Sequence, residues 1–303
     1  MTIEIINPKD EKHWLELRTK VLTSTEIPAL FGLSPYCTLF ELWQRKKNNY
    51  NVEFDPNERS DWGLILQEGI AKKFAKDNKW EIRRMDEFIQ DNDLRIGSSF
   101  DYAIGNDGIL EVKNVDGLVF KDNWIEDDVG NIEEPPHIGI QVQVQLAMSK
   151  RDFAFIGALV SGNKGILIKR TPEPSIIAAI KKRVSEFWAS IDNDTPPSPN
   201  LSEDSEFIKR LYSYAEPGKI FDARSDSEIE TLVKEYKELG GTIKTADERR
   251  DAIKADILMR IGDAEKVLGN GFSITAGTVG PAHVEYERSA YRMFKVNTPR
   301  GKK

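Results

Sequence analysis

The stretch SSFDYAIGNDGILEVKN, residues 98–114, decides how the rest of the chain is read. An aspartate, a GNDG turn at 105–108, then Glu111-Val112-Lys113 behind Ile109 and Leu110 predict two strands folded back as a hairpin. Side chains alternate across a strand, so Glu111 and Lys113 share one face, and the turn brings Asp101 beside them. Acid and base on an apolar strand are costly to bury unless paired or bound to something. Two readings follow. In one, Glu111 and Lys113 are an ordinary charge pair on an edge strand. In the other, Asp101, Glu111 and the Val112 carbonyl hold Mg²⁺ or Mn²⁺ through oxygen. Metal-bound water then attacks a phosphodiester, and Lys113 orients it or neutralises the developing charge. The triplet alone does not choose between them. Glu-x-Lys recurs at Glu235-Tyr236-Lys237, on a predicted solvent-facing helix where it carries no chemistry.

Outward from this hairpin, HWLELRTKVL, STEIPALFGL and TLFELWQRKK read as helices within residues 10–50, with Thr23, Ser24 and Thr25 offering capping hydroxyls. A polar loop at 48–61 leads to a helix from about Leu64 to Asp77. There Glu68 shares a stripe with Leu64, Ala71 and Ala75, which turns it toward the core. An exposed pair with Lys72 reads equally well. Residues 80–115 are strand-like, and 116–136 form an acidic loop. HIGIQVQVQLAMSKR, from 137, alternates as a strand does, whereas a helix would stack Gln141 and Gln145 on one face. Strands at 152–160 and 164–170 and an amphipathic helix ending near Ile191 complete this part.

TPPSP, residues 195–199, is the one clear break, and it divides the chain into residues 1–197 and 198–303. The second part reads as a charged helical hairpin, broken at Gly240-Gly241, followed by short strands. Its end interleaves Tyr286, Tyr291 and Phe294 with Arg288, Arg292, Lys295, Arg300, Lys302 and Lys303. That composition suits either single-stranded DNA or a small hairpin with a basic end.

Composition narrows the field. The 303 residues are 39% hydrophobic and 31% charged, as in a soluble globular protein. No apolar run approaches the roughly 20 residues that span a bilayer. The start, MTIEIINPKDEKHW, lacks a signal pattern, so a cytoplasmic protein is expected. A single cysteine, Cys37, excludes an internal disulfide and any four-cysteine zinc or iron–sulfur site. His13, His137 and His283 lie far apart, which argues against zinc. The net charge of −7 gives no global field for nucleic acid, although a local basic groove suffices. The clusters Arg45-Lys46-Lys47, Lys150-Arg151, Lys169-Arg170 and Lys181-Lys182-Arg183 read as solvated helix ends and loops.

Taken in order, WLELRTKVLTSTEIPALFGLSPYCTLFELW, WGLILQEGIAKKF, SSFDYAI, ILEVKN and IQVQVQLAM resemble the YqaJ-type viral recombinase and phage lambda exonuclease family, within the PD-(D/E)xK nucleases. The resemblance spans roughly residues 14–190. It implies an α/β (α+β) fold with a central mixed β-sheet flanked by helices, and a helix rather than a strand at QVQVQ. By the same resemblance, Asp101, Glu111 and the Val112 carbonyl bind Mg²⁺, with Mn²⁺ as a substitute, and Glu68 lies near a second metal position. Lys113 and Gln141 position water and phosphate. Arg18 and a hydroxyl in Thr23-Ser24-Thr25 hold a 5′-phosphate; the family's serine aligns best with Thr25, with Ser24 beside it. The implied activity is two-metal, 5′-to-3′ resection of linear double-stranded DNA, leaving 3′ single strands for an annealing protein. A trimeric ring in the host cytoplasm, of phage or prophage origin, belongs to the same expectation. An endonuclease with this core and a catalytically silent DNA-binding scaffold are the alternatives. Two departures stand out: Ile138 occupies a position where some relatives carry tyrosine, and Cys37 one where a polar residue is common.

Overall fold

The GNDG turn closes a hairpin as its spacing predicts: Ile104 pairs with Gly108 and Tyr102 with Leu110, and Gly105 takes φ +51°. The computed structural model describes residues 2–49, 58–288 and 290–297. They fall into two compact units, residues 1–207 and 208–303. The division lies ten residues beyond the expected break at 197/198. Asn200 and Thr38 both hydrogen-bond Asp204, which is buried and anchors this connecting stretch to the first unit.

The first unit begins β1 (Ile3–Ile6), α1 (Glu11–Thr19), β2 (Leu22–Thr23), a 3-10 turn (Ile27–Phe31) and α2 (Leu39–Lys47). It continues with α3 (Glu58–Asn78), β3 (Ile82–Arg84), β4 (Phe88–Asp91), β5 (Ile96–Ser98), β6 (Tyr102–Ile104) and β7 (Gly108–Val115). Then come α4 (Gly117–Asn123), β8 (Ile125–Glu126), β9 (Ile132–Glu133), α5 (Pro136–Ser149), β10 (Phe153–Val160), β11 (Lys164–Arg170) and α6 (Pro174–Asp192), and the division between the units falls within α7 (Ser205–Leu211). The α/β fold class is as expected. The central five-stranded sheet has the order β11-β10-β7-β6-β3 and is mixed, because β7 and β10 run parallel. A second mixed sheet has the order β1-β4-β5-β2.

Strand alternation sorts β7 onto two cores. Leu110 and Val112 pack with Ile70 and Ala71 of α3, whereas Ile109 and Val115 join the larger core with α5 and α6. A Cβ on Gly157, opposite Val112 on β10, would come within 2.9 Å of Phe74; glycine there lets α3 lie close on the sheet.

Several local expectations change. STEIPALFGL forms only a 3-10 turn, and the residue capping it, Glu26, makes no side-chain cap, so the hydroxyls at 23–25 are not helix caps. The expected loop at 116–136 contains α4 and the β8–β9 hairpin. Of the expected loop at 48–61, residues 50–57 lie outside the described residues, and α3 begins at Glu58. The QVQVQ segment is helical, within α5. Ile138, Gln141 through Leu146 and Met148 are all buried, so this helix has no solvent face to impose a 3.6-residue pattern.

The second unit contains α8 (Ser227–Ile261), β12 (Lys266–Gly269) and β13 (Phe272–Thr275). The expected helical hairpin is absent: α8 is one continuous helix through Gly240-Gly241. Glycine disfavours a helix but does not reverse the chain without a positive φ, and neither glycine has one. Asp226 caps the start through Glu228 N and Ile229 N, and the Lys234–Glu230 and Lys244–Glu248 pairs brace the exposed faces. Among the described residues beyond Thr275 there is no strand, and Arg300, Lys302 and Lys303 lie outside them. No described helix is long and apolar enough to cross a membrane.

Candidate active site

Strand β7 carries Glu111 and Lys113 on the face that α5 covers, and α5 presents Gln141 and Gln145, one turn apart, to the same point. Glu111 is 4% exposed. Its Oε1 accepts from Lys113 Nζ at 2.7 Å and Gln141 Nε2 at 2.6 Å, and its Oε2 accepts from Gln145 Nε2 at 2.7 Å. Lys113 Nζ also donates to Gln141 Oε1 at 3.1 Å. The stacking of Gln141 and Gln145 on one helix face is as the helical reading expects, and the bond from Gln145 to Glu111 is the contact that the sequence does not single out.

Asp101 immediately precedes β6. Its Oδ2 accepts from the Val112 amide at 2.7 Å and its Oδ1 from Gln67 Nε2 at 2.7 Å. A strand residue's N–H and C=O leave on the same side, so the Val112 carbonyl also points to the edge where Asp101 lies. Burial, and then the neighbouring Glu111 charge, push the Asp101 carboxyl up to about 7, against the pull of Lys113 and the Val112 N–H. Burial works against the Lys113 ammonium, yet Glu111 and Asp101 outweigh it and raise its pKa.

These observations test the fit of a divalent cation. Asp101, Glu111 and the Val112 carbonyl form an all-oxygen donor set, and the two crowded carboxyls need more positive charge than Lys113 alone provides. The residues fit a hard cation. Glu68 is not part of this cluster. Its side chain is 63% exposed and paired with Lys72, so of the two readings the exposed pair holds. The α3 residue that reaches Asp101 is Gln67, which the sequence reading passed over. Among the described residues no three His, Cys, Asp or Glu side chains gather as a metal cluster.

A second polar pocket lies between α1 and the 3-10 turn. The Arg18 guanidinium sits 4.4 Å from the Trp14 ring centroid and donates to Thr25 Oγ1 at 3.4 Å. Glu26 accepts from Thr23 Oγ1 at 2.9 Å and pairs with Lys46 at 2.8 Å, while Lys46 Nζ also donates to the Arg18 carbonyl at 2.9 Å. Lys46 is therefore a buried member of the pocket, not a solvated helix end. Burial lowers the pKa of Arg18, partly offset by Glu26. Burial also disfavours the Glu26 charge, but Lys46, Thr23 and Arg18 outweigh it and hold the carboxyl below its usual value. Thr25 is exposed. Ser24 is 3% exposed and its hydroxyl is bonded to Ser98 Oγ at 2.9 Å, so Thr25 is the hydroxyl placed to meet a ligand.

Cys37 packs beside the larger core, and burial pushes its thiol up to about 11, as suits a small packing residue. Ile138 is buried and supplies no polar group. Near Lys113, exposed Tyr36 meets His137 edge-on at 5.9 Å, and burial with the Lys113 charge lowers the imidazole's pKa.

Every residue of both pockets falls within one family match. Residues 13–152 match the YqaJ-like viral recombinase domain. The family resemblance in the sequence is borne out. The uncharacterized protein YqaJ of Bacillus subtilis (strain 168) is 25% identical over 257 residues, covering 79% of this chain and 78% of the relative. Among solved structures, an alkaline exonuclease (LHK-Exo) from Laribacter hongkongensis is 14% identical with a TM-score of 0.47, over 66% of this chain and 97% of that one. A phage related exonuclease from Haemophilus somnus 129PT is 16% identical with a TM-score of 0.38, over 62% of this chain and 89% of that one. The YqaJ-like match ends at Asp152, just before β10, so β10, β11, α6 and the whole second unit lie beyond it.

Proposed function

We propose that this chain is a Mg²⁺-dependent deoxyribonuclease that degrades linear duplex DNA from 5′ ends and leaves 3′ single strands for recombination. The observation that carries this reading is the convergence of Asp101 and Glu111 on one strand edge, with Lys113 Nζ 2.7 Å from Glu111. The YqaJ-like domain match supports it.

Asp101, Glu111 and the Val112 carbonyl would hold the cation, which supplies Lewis-acid polarisation of the scissile phosphate and a nucleophilic water. Lys113 has three donors; Glu111 and Gln141 take two, and the third remains for a phosphate oxygen or the attacking water. Gln141 bridges Lys113 and Glu111 and keeps them in register. Arg18 and Thr25 would grip the terminal 5′-phosphate, with the guanidinium set over the Trp14 ring and with Lys46, itself paired with Glu26, bonded to the Arg18 carbonyl. A second metal position would need Glu68 to leave Lys72. Local cations in these two pockets reconcile DNA binding with the acidic whole.

The test is digestion of a linear duplex phosphorylated at one 5′ end and hydroxylated at the other. Wild type and Lys113→Ala are compared in Mg²⁺ and in EDTA. Loss of the phosphorylated strand from its 5′ end, requiring both Mg²⁺ and Lys113, is expected. A duplex left intact in Mg²⁺ and in Mn²⁺ sinks the catalytic reading, and nicking of a closed circle redirects it to an endonuclease.

A further inference from the structure

We propose that Gln145 is a positioning residue that fixes the Glu111 carboxylate and ties it to the pocket around Arg18, so that grip on a phosphate end and cleavage share one rigid network. The inference rests on the nuclease reading of this site.

Gln145 is 1% exposed and lies one helical turn beyond Gln141, so the two amides leave α5 on the same face. Together with Lys113 they hold both oxygens of Glu111, Gln145 alone holding Oε2 at 2.7 Å. The same Gln145 Nε2 donates to the Ser99 carbonyl at 3.2 Å. Both partners only accept, which settles the amide's orientation: the flipped form would set its oxygen against a carboxylate and a carbonyl. The consequence is visible on the other side, where Gln145 Oε1 is buried without a hydrogen-bond partner among the described residues. An orphaned buried acceptor is costly, and here it accompanies the delivery of both N–H groups to Glu111 and Ser99.

Ser99 leads to the second pocket. Its hydroxyl accepts from Trp14 Nε1 at 2.9 Å, and the Trp14 ring carries the Arg18 guanidinium. Its carbonyl also accepts from Ser98 Oγ at 3.1 Å, and Ser98 bonds Ser24, the neighbour of Thr25. Glu111, Gln145, Ser99, Trp14 and Arg18 thus form an unbroken series of direct contacts. Gln145 touches neither end of the substrate. It acts by denying Glu111 the freedom to rotate and by setting its distance from the phosphate grip.

The experiment uses full-length wild type, Gln145→Met and Trp14→Phe. Methionine keeps volume and removes both hydrogen bonds. Phenylalanine keeps a ring under Arg18 and removes the bond to Ser99. Mn²⁺ binding is measured by titration calorimetry without DNA, and kcat/KM is compared on 5′-phosphorylated and 5′-hydroxyl ends. Loss of such an outer partner is expected to weaken Mn²⁺ binding about 10- to 100-fold in Gln145→Met. Trp14→Phe should weaken it several-fold although Trp14 touches no carboxylate. Gln145→Met should also lose part of the preference for phosphorylated ends, which a role in packing alone would leave unchanged. Either variant, folded and binding Mn²⁺ as wild type does, overturns the proposal; if Gln145→Met does not fold, Trp14→Phe decides it. A wild type that binds no Mn²⁺ and cuts nothing removes the nuclease reading and this inference with it. An active wild type with variants indistinguishable from it removes only the inference.

Discussion

Gln67 Nε2 lies 2.7 Å from Asp101 Oδ1, while the next residue, Glu68, faces solvent with Lys72. The α3 side chain nearest the carboxyl pair is therefore neutral, and it donates where a carboxylate would repel. Gln67→Glu would place a third acid beside an Asp101 already pushed up to about 7. Without metal the variant should melt below wild type, since it adds repulsion. With Mn²⁺ it should bind about 10-fold more tightly, because affinity for hard cations follows ligand charge. Melting curves in EDTA and in a Mn²⁺ series check both signs; a variant that melts higher in EDTA and gains nothing from Mn²⁺ would falsify this account of Gln67.

Asp101 makes stability depend on pH. Its folded pKa of about 7 stands above the ordinary 3.8, so between those values the native state binds more protons than the unfolded chain. Stability is full below the lower value and falls as pH rises through the higher one. At about 1.4 kcal/mol per unit, the loss is on the order of a few kcal/mol. Denaturant unfolding in EDTA from about pH 4 to about pH 8 should show this fall. Asp101→Asn should flatten it, and added Mg²⁺ should offset it in wild type. A wild-type curve that rises across that range would reverse the assignment.

The sequence made the hairpin legible because turn chemistry and alternation are local: GNDG, Ile109, Leu110 and Val112 all agree on β7. The site's outer partners were less legible for one reason, that burial from several sides erases periodicity. Largely buried α5 copies a strand's alternation, so Gln145 does not stand out in the sequence as a partner of Glu111. Lys46 sits in a basic run that statistics assign to solvent, yet Glu26 and the Arg18 carbonyl draw it inside. On α3 the stripe holds at Ala71 and Ala75, which are buried, and fails in its first turns, where Leu64 and Glu68 are exposed. Gly240-Gly241 misleads in the opposite way, since a residue that permits a turn does not by itself make one.

That last point is testable. Neither glycine has a positive φ, and a Cβ at either position would meet nothing within 4 Å among the described residues. Alanine should therefore stabilise α8 by about 1 kcal/mol at each site, the usual gain over glycine inside a helix. Thermal melts of full-length Gly240→Ala and Gly241→Ala, followed by helical circular dichroism, would show it. A turn at 240–241 predicts the reverse, with both variants less helical than wild type.

Thr25 and Ser24 should separate binding from folding. Thr25 is exposed and within reach of Arg18, so Thr25→Val should lower kcat/KM on 5′-phosphorylated ends about 10-fold, near the 1.4 kcal/mol of one charged hydrogen bond. Its melting temperature and its activity on 5′-hydroxyl ends should stay near wild type. Ser24 is buried and accepts from Ser98, so Ser24→Ala should instead cost about 1 kcal/mol of stability and keep the end preference. Ser98 retains the Ser99 carbonyl as an acceptor, which limits that loss. If Ser24→Ala abolishes the preference and Thr25→Val leaves it intact, the phosphate is held deeper than the Arg18–Thr25 contact implies. The pocket would then have to open toward Ser98 to admit it.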